Sequence, residues 1–458
     1  MITIGADGRI YKLRPAETLR RKLTPKKIPM SQDMALGGTG TEAPHTEEAD
    51  ISTALKWKLI IMMMLEFFIW GAWLPLAFGY MASIGFTGTQ QAWVGSAFAI
   101  AAIVGIFFSN QWADRNFAAE RFLSASHLIG GLAIAGLYFT RSFWPFFGLM
   151  LLHSLCYVPT ISVANSLAFA NLRNPARDFG LIRMGGTIGW VLAAWPLFFI
   201  LSDTTGEESI RARSTIFLVS AAASLALAAF ALTLPHTPPK RVSGETVDRF
   251  AWLKAFRMLS VPFLLVLFIV TFIDSTIHNG YFLLADPFLR QIGIPDEWVM
   301  PVMSIGQVTE ILTMLILGYV LVRLGWRVTM IVGILGHAAR FGVFAFFPDN
   351  VPLIIAVQAL HGICYAFYFA TVYIFIDRAF PSDIRSSAQG LFNLLILGLG
   401  DLAAKWLFLP MKDSMTVDGR TDFGRLFLVP TGMALLAAII LAVAFWPRKD
   451  LEVGEVAV

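Results

Sequence analysis

Charged residues are scarce in this chain of 458 residues. Asp, Glu, Lys and Arg together make up only 14% of it, whereas 57% of the residues are hydrophobic. A soluble domain carries about 25% charged residues, because its surface must stay hydrated. The composition therefore excludes an ordinary soluble protein and indicates that most of the chain lies in a lipid bilayer.

Cysteines and catalytic motifs are also rare. The two cysteines, Cys156 and Cys364, both lie inside apolar runs, which excludes a disulfide framework and a cysteine-rich metal site. The sequence contains no Gly-x-Ser-x-Gly nucleophile motif, no His/Glu metal motif and no GxxxxGK[ST] phosphate loop. We therefore expect neither an enzyme nor ATP-driven transport, and we expect no metal and no cofactor.

The chain also lacks two further signals. Its formal net charge of +4 comes from basic residues dispersed between apolar runs, without the basic stripe and interleaved aromatic residues of a nucleic-acid partner. The polar first 50 residues lack the apolar stretch of a signal peptide. We predict that residues 1–56 form a disordered cytoplasmic tail.

What the sequence does contain is a series of apolar runs of roughly 20 residues, the length that an α-helix needs to cross a bilayer. Backbone groups in lipid must be satisfied within the chain, so these runs must be helical, and the alternating pattern of a β-barrel is absent. We predict twelve transmembrane helices, at residues 58–82, 91–111, 121–139, 143–168, 181–201, 213–235, 261–289, 298–322, 326–347, 350–378, 383–410 and 422–446.

The longest polar connection, residues 236–257, separates two six-helix halves at 57–235 and 258–447, with a short tail at 448–458. His153-Ser-Leu-Cys-Tyr157 recurs as His361-Gly-Ile-Cys-Tyr365, in the fourth helix of each half. Parallel six-helix repeats are the architecture of major facilitator transporters. The predicted fold is therefore an all-α membrane protein with two six-helix pseudo-repeats.

The placement of Lys and Arg predicts the orientation of the chain. If both termini are cytoplasmic, 26 of the 35 basic residues fall on the cytoplasmic side, seven fall outside and two lie within helices. Basic residues concentrate on the cytoplasmic side of membrane proteins. We therefore expect both termini and the 236–257 connection to be cytoplasmic in a multi-pass inner-membrane protein.

Ionisable side chains inside a membrane are costly, so each one is a functional candidate. Asp401 and Lys405 are four residues apart and have a simpler explanation, since they can neutralise each other. Arg183 can instead be an interfacial anchor, and the acids of helix seven can lie near helix ends in water. Glu310 has no basic residue within a helical turn to pair with. The candidates are Glu66, Arg183, Asp274, Asp286, Glu310, Asp401 and Lys405.

Helical spacing groups several polar residues onto shared faces. Arg183, Thr187 and Trp190 fall at i, i+4 and i+7, and Gln307 and Glu310 at i and i+3. An amide beside a carboxylate can bind hydroxyl groups or the edge of a base. Helix ten adds aromatic surface at Tyr365, Tyr368 and Phe369. Together these groups suit a ligand with a flat ring and several hydroxyls.

At this point the sequence resembles bacterial nucleoside:proton symporters, a branch of the major facilitator superfamily. The resemblance covers residues 57–447. It rests on six segments that follow one another along the chain: FFIWGAWL at 67–74, WADR at 112–115, YVPT at 157–160, RMGGTIGW at 183–190, SIGQVTE at 304–310 and IRSSAQG at 384–390. RMGGTIGW and SIGQVTE are the more specific segments, whereas WADR marks only the superfamily.

The resemblance implies a nucleoside pocket between the halves. The matching substrate positions are Arg183, Thr187, Trp190, Asn279, Gln307, Glu310, Tyr365 and Phe367. Two departures stand out: Ala366 occupies the place of an acid in helix ten, and Glu66 replaces a neutral amide in helix one. We therefore expect Glu310 to couple protons to transport, with Glu66 supplying the carboxylate that helix ten lacks.

The function expected from this resemblance is proton-coupled nucleoside transport across the inner membrane by alternating access of the two halves. We expect a monomer whose partners are a nucleoside, protons and the lipid bilayer, with no nucleic acid. The alternatives are a major facilitator permease for a sugar or nucleobase, a membrane sensor that binds a solute without moving it, and a membrane enzyme, which the missing catalytic motifs disfavour.

Overall fold

The computed structural model describes residues 2–4, 10–12, 52–105, 116–173, 175–202, 204, 206–239, 256–380 and 385–447. The chain divides into two units, Met1–Ala49 and Asp50–Val458. In the first, strand β1 (Ile2–Ile4) pairs antiparallel with β2 (Ile10–Lys12), a hairpin that the sequence did not predict. The rest of the predicted tail up to residue 51, most of the 236–257 connection and the tail at 448–458 lie outside the described residues.

The second unit is helical over nearly all of its described length. Every predicted transmembrane helix corresponds to one of α1 (Thr53–Ser83), α2 (Gly88–Val104), α3 (Ala119–Leu137), α4 (Phe143–Asn171), α5 (Pro175–Leu192 and Ala194–Leu201), α6 (Gly206–Ala231), α7 (Pro262–Gln291), α8 and α9 (together Asp296–Phe346), α10 (Val351–Val357, Leu360–Cys364, Tyr365–Ala370 and Thr371–Ala379), α11 (Arg385–Asn393, Leu394–Leu399 and Gly400–Ser414) and α12 (Phe423–Ala444). A short hairpin of β3 (Thr416–Val417) and β4 (Arg420–Thr421) joins α11 to α12.

Length and hydropathy agree with a membrane-spanning bundle. In the described part of the chain, nine helical segments are long and apolar enough to cross a bilayer, and the segment Asp296–Phe346 among them contains both α8 and α9. Gly325 separates these two helices with φ 70° and ψ 173°, a left-handed backbone conformation that favours glycine. The predicted boundary between residues 322 and 326 is therefore confirmed.

The helices begin where the sequence provides caps. The hydroxyl of Ser52 accepts a hydrogen bond from the Leu55 amide before α1, and Thr87 and Gln90 form a capping box before α2. Asp422 caps α12 in the same way, by accepting from the Arg425 amide. These side chains satisfy amide groups that have no partner within the helix.

The two six-helix halves meet through three helix pairs. The helix α2 packs against α11, α5 against α8, and α1 against α7. Within the N-terminal half, α1 and α5 approach unusually closely, because a methyl group at Gly189 would overlap the carbonyl oxygen of Met64. This close approach brings the Arg183 face of α5 toward the centre of the molecule.

Two helices of the C-terminal half are irregular. In α10 the residues Tyr365–Ala370 form a π-helical turn, and in α11 the residues Leu394–Leu399 form another. A π-turn has a wider i→i+5 hydrogen-bond spacing and is frequent at functional sites. The sequence predicted both helices but gave no sign of these turns.

Candidate functional site: a cavity between the halves

A cavity of about 640 Å³ lies between the two halves, within the range of small-molecule sites. Four helices of each half line it: α1, α2, α4 and α5, and α7, α8, α10 and α11. It extends to the end of the bundle where α4 ends and α5 begins, at Phe169 and Phe179. That end lies on the side from which α1 starts.

The predicted face of α5 lines this cavity. Arg183, Thr187 and Trp190 all contribute to its wall. The Arg183 guanidinium carbon lies 4.0 Å from the centre of the Phe67 ring, a cation–π contact that holds the side chain at the cavity. The structure therefore contradicts the alternative that Arg183 is an interfacial anchor.

An aromatic wall continues from α5 to its neighbours. The Trp190 ring meets Trp70 edge-on at 5.4 Å and Phe282 at 5.8 Å, and Trp70 stacks on Phe98 at 4.8 Å. These rings come from α1, α2, α5 and α7. A flat ligand ring therefore has aromatic partners on both sides of the interface between the halves.

The predicted face of α8 lies in the wall formed by the other half. Gln307 and Glu310 both line the cavity, and Glu310 is the only acid among its described lining residues. The side-chain oxygen Oε1 of Gln307 is buried and has no hydrogen-bond partner in the described part of the chain. Among the described residues, Glu310 makes no ion pair within 4 Å, although the positive charge of Arg183 acts on its carboxyl across the cavity.

Asn279 of α7 also lines the cavity, as expected. Its side-chain amide donates hydrogen bonds to the carbonyl oxygens of Ser275, at 2.8 Å, and Ile396, at 3.2 Å. The second of these bonds connects α7 to the π-turn of α11. The amide is thereby fixed between two helices at the edge of the site.

On α10 the structure confirms Tyr365 at the cavity but not Phe367. The lining residues are Tyr365, Phe369 and Tyr373, which follow one another at intervals of four. Phe367 and Ala366 are buried outside the cavity, since they fall on other faces of the helix. An acid at position 366 would therefore not enter the cavity.

Glu66 is fully buried and lies outside the cavity lining. Its Oε2 lies 2.9 Å from Nε2 of His127, and its Oε1 accepts a 2.7 Å hydrogen bond from the Thr160 hydroxyl. These partners belong to α3 and α4 of the same half. The expectation that Glu66 supplies a cavity carboxylate is therefore wrong in its geometry.

The remaining intramembrane acids among the sequence candidates are paired. Asp401 forms an ion pair with Lys405, as predicted, so Lys405 does not act on Glu310. Asp274 and Asp286 are both fully buried, and the prediction of solvated acids near helix ends is wrong for them. Asp274 pairs with His337 at 3.0 Å and Asp286 with Arg290 at 2.5 Å.

Two histidines that were not predicted from the sequence as substrate-binding residues also line the cavity, His278 and His361. Their rings stack with centres 5.0 Å apart. His278 precedes Asn279, and His361 belongs to the repeated five-residue motif, so both were visible in the sequence. Neither signal showed which way the side chains face.

At the end of the bundle opposite the cavity mouth, polar contacts connect the halves. Asp296 of α8 accepts a hydrogen bond from Ser209 and lies 3.8 Å from Nε of Arg213, both on α6. It also pairs with Arg290 of α7. The amide of Gly88 on α2 donates to Asp413 on α11. The cavity is therefore closed at this end.

Comparison with known proteins agrees with this geometry. The sequence model of the family described as "Nucleoside H+ symporter" matches residues 53–450. The chain is 32% identical over 413 residues to YegT of Escherichia coli (strain K12), covering 88% of this chain and 96% of that protein. It is 27% identical over 425 residues to the xanthosine permease of the same organism, covering 87% and 98%.

Solved structures show the same fold. The crystal structure of the nucleoside transporter NupG superimposes with a TM-score of 0.76 at 24% identity, covering 86% of this chain and all of that one. The crystal structure of a D-xylose-proton symporter gives a TM-score of 0.68 at 14% identity, covering 87% and 99%. The predicted major facilitator fold is thereby confirmed.

Proposed function

This chain belongs to the nucleoside H+ symporter family and transports nucleosides together with protons, and we propose that the cavity between its halves is where the nucleoside binds. The observation that carries the proposal is the buried Oε1 of Gln307, which has no partner among the described residues and lies in the cavity wall one turn from Glu310. An unpaired buried acceptor costs about 1–3 kcal/mol, so a ligand that donates to it gains affinity.

The lining assigns chemistry to the parts of a nucleoside. Arg183 and Thr187 donate from one half, and Gln307 and Glu310 accept from the other, which suits ribose hydroxyls and base edges. Trp190, Tyr365 and Phe369 supply flat surfaces for the base. Because the contacts come from both halves, a bound nucleoside bridges the two bodies that move in alternating access.

Glu310 is the residue that we assign to the proton. Burial in a low-dielectric site disfavours an ionised carboxyl, whereas the positive charge of Arg183 across the cavity favours it. These opposing influences leave the protonation of Glu310 sensitive to what occupies the cavity. A nucleoside that comes between the two side chains changes that balance and so couples binding to protonation.

The closed end and the cavity mouth define a state of the transport cycle. With both termini on the cytoplasmic side, as the basic residues indicate, the mouth faces the cytoplasm and the Asp296 contacts close the outer side. This arrangement is the inward-facing state of a transporter of the inner membrane.

Binding of labelled uridine to purified protein tests the site. We expect Gln307→Leu to weaken binding at least about tenfold, which corresponds to 1.4 kcal/mol, because it removes the acceptor. The neighbouring substitution Val308→Leu is the control, since Val308 is exposed on the outside of α8. Unchanged affinity of folded Gln307→Leu would show that the nucleoside binds elsewhere.

The same preparation separates the alternatives. Reconstituted into vesicles, a nucleoside symporter takes up uridine faster when the pH gradient directs protons inward. A permease for another solute would bind and move uridine poorly but respond to a sugar or a nucleobase. A sensor would bind uridine without any uptake.

A further inference from the structure

In the described part of the chain, a carboxyl–histidine pair with both side chains fully buried occurs once in each half of the bundle. In the N-terminal half, Glu66 of α1 meets His127 of α3, with Oε2 and Nε2 2.9 Å apart. In the C-terminal half, Asp274 of α7 meets His337 of α9, with Oδ1 and Nδ1 3.0 Å apart. The helices α1 and α7 hold the same place in the two halves, as do α3 and α9. All four side chains are buried.

The next contact is repeated as well. Three residues after each of these histidines stand Gly130 and Arg340, and each contacts the histidine of the repeated motif. The carbonyl oxygen of Gly130 lies 2.9 Å from Nδ1 of His153, and Nη1 of Arg340 lies 2.9 Å from Nδ1 of His361. The two halves therefore contain equivalent polar networks.

The two networks differ in the position of their protons. A carbonyl oxygen only accepts, so Nδ1 of His153 donates, whereas a guanidinium only donates, so Nδ1 of His361 accepts. His361 is thereby held neutral with its proton on Nε2. Because His361 lines the cavity, this fixed tautomer belongs to the surface that faces the ligand.

The N-terminal network is closed. Thr160 donates to Oε1 of Glu66, and Ser224 lies 3.3 Å from Nδ1 of His127. The described lining of the cavity includes none of these four residues. Nε2 of His153 has no hydrogen-bond partner in the described part of the chain, but His153 also lies outside the cavity lining. Without access to the cavity, this network is a structural connection among α1, α3, α4 and α6.

The C-terminal network is open. Buried atoms of this network without a hydrogen-bond partner in the described part of the chain are Oδ2 of Asp274, Nδ1 of His278, Nε2 of His337, and Nε and Nη2 of Arg340. His278 lines the cavity, and its ring centre lies 5.6 Å from that of His337. Titratable side chains therefore follow one another from the cavity through His278 and His337 to Asp274, with a ring contact between the two histidines.

Other titratable or charged groups surround this path. They are Tyr281 on α7, Arg340 on α9, and His361, Cys364, Tyr365 and Tyr368 on α10, while Glu310 of α8 faces the same cavity. The fully buried charge of Arg340 lies over the Tyr281 ring, with the guanidinium carbon 4.1 Å from the ring centre.

We propose that the Asp274–His337 pair, reached from the cavity through His278, is a second proton-binding site of the transporter, separate from Glu310. One proton passes from water in the cavity to His278 and on to the pair, and no other bond changes. The added charge is repelled by Arg340, so the proton leaves when the cavity opens to the more alkaline side. The proposal rests on the proposed function of the cavity.

Proton and uridine uptake measured together in vesicles test this site. Each coupled proton multiplies the limiting accumulation about tenfold per unit of pH gradient, because one pH unit equals 1.36 kcal/mol. We expect Asp274→Asn and His278→Gln to lower the number of protons per uridine by one and the accumulation about tenfold. Uridine counterflow without a gradient should persist in Asp274→Asn, because Asp274 lies outside the cavity lining.

Glu66→Gln is the matched control, because it changes the equivalent carboxyl of the closed network. It should keep the proton number of the parent protein. A folded Asp274→Asn that also keeps this number would overturn the proposal. A parent protein that shows no uridine counterflow would instead contradict the proposed function.

Proton titration of purified protein gives a readout that does not need transport. The Asp274→Asn variant should bind about one proton fewer than the parent between about pH 5 and 8, the range in which histidine networks titrate. An identical titration curve would show that the pair is only structural. If Asp274→Asn does not fold, the same titration of His278→Gln shows whether the pair binds a proton or is only structural.

Discussion

Arg183 reaches the cavity because its surroundings leave it room. A methyl group at Gly186 would lie 2.6 Å from Nη1 of Arg183 and 2.7 Å from Cδ2 of Phe67. The missing side chain lets the guanidinium settle against the Phe67 ring, with its donors free to meet a ligand. The sequence RMGGTIGW therefore encodes both the cation and the space that it occupies.

At the residue scale we predict that Arg183→Lys damages transport although it keeps the charge. Lysine lacks the planar fork that stacks on an aromatic ring and forms two parallel hydrogen bonds. Uridine uptake should fall about tenfold at unchanged membrane abundance, the equivalent of 1.4 kcal/mol. The control is Arg323→Lys, since Arg323 lies over the Tyr319 ring on the exposed surface of α8. Nearly normal uptake by Arg183→Lys would mean that the fork does not contact substrate.

Contacts between α1 and α5 set the position of this face. Gly189 has no space for a side chain, because Met64 of α1 packs directly on it, whereas a methyl group at Gly180 would meet nothing within 4 Å. The two glycines lie on the same helix and differ only in this contact. They therefore make a matched pair for a test of packing.

At the element scale we expect Gly189→Ala to destabilise the protein and Gly180→Ala to leave it unchanged or slightly more stable. Alanine is favoured over glycine within a helix by about 0.5–1 kcal/mol, so only the steric overlap explains a loss. Thermal unfolding in detergent measures the difference. Equal melting temperatures for the two variants would contradict the close approach of α1 and α5.

The sequence predicted elements well where one helix contains all the information. Arg183 and Thr187, and likewise Gln307 and Glu310, share faces because helical spacing within a single helix is fixed. The prediction that Phe367 lines the cavity is wrong, since the cavity face of α10 runs through Tyr365, Phe369 and Tyr373. The prediction that Glu66 supplies a cavity carboxylate is wrong for another reason. Its partners come from α3 and α4, and spacing within one helix does not predict contacts with other helices.

On the scale of the whole molecule, Asp296 holds closed the end of the bundle opposite the cavity mouth. Ser209 and Arg213 of α6 approach it from one half, and Arg290 of α7 from the other. A carboxylate shared by two cationic side chains is a strong point of attachment, because each contact is charge-assisted. Opening this end requires the contacts of Asp296 with Ser209 and Arg213 to separate, whereas its pair with Arg290 lies within the C-terminal half.

We predict that Asp296→Asn shifts the protein toward the outward-open state. The probe is a cysteine at Leu74, a cavity-lining position, in a chain without Cys156 and Cys364. Its labelling by an impermeant thiol reagent should increase from the outer side and decrease from the inner side. Asp418→Asn, at an exposed position in the α11–α12 hairpin, should leave labelling unchanged. If Asp296→Asn also leaves it unchanged, the contacts do not control opening.

Uridine accumulation by vesicles containing Glu310→Gln tests whether Glu310 couples a proton to the nucleoside in the cavity. With an inward proton gradient of one pH unit, we expect limiting accumulation about tenfold below that of the parent protein, while counterflow without a gradient persists. Glu297→Gln, on the same helix outside the cavity lining, should accumulate normally. Parent-level accumulation by Glu310→Gln would show that Glu310 does not carry the coupled proton.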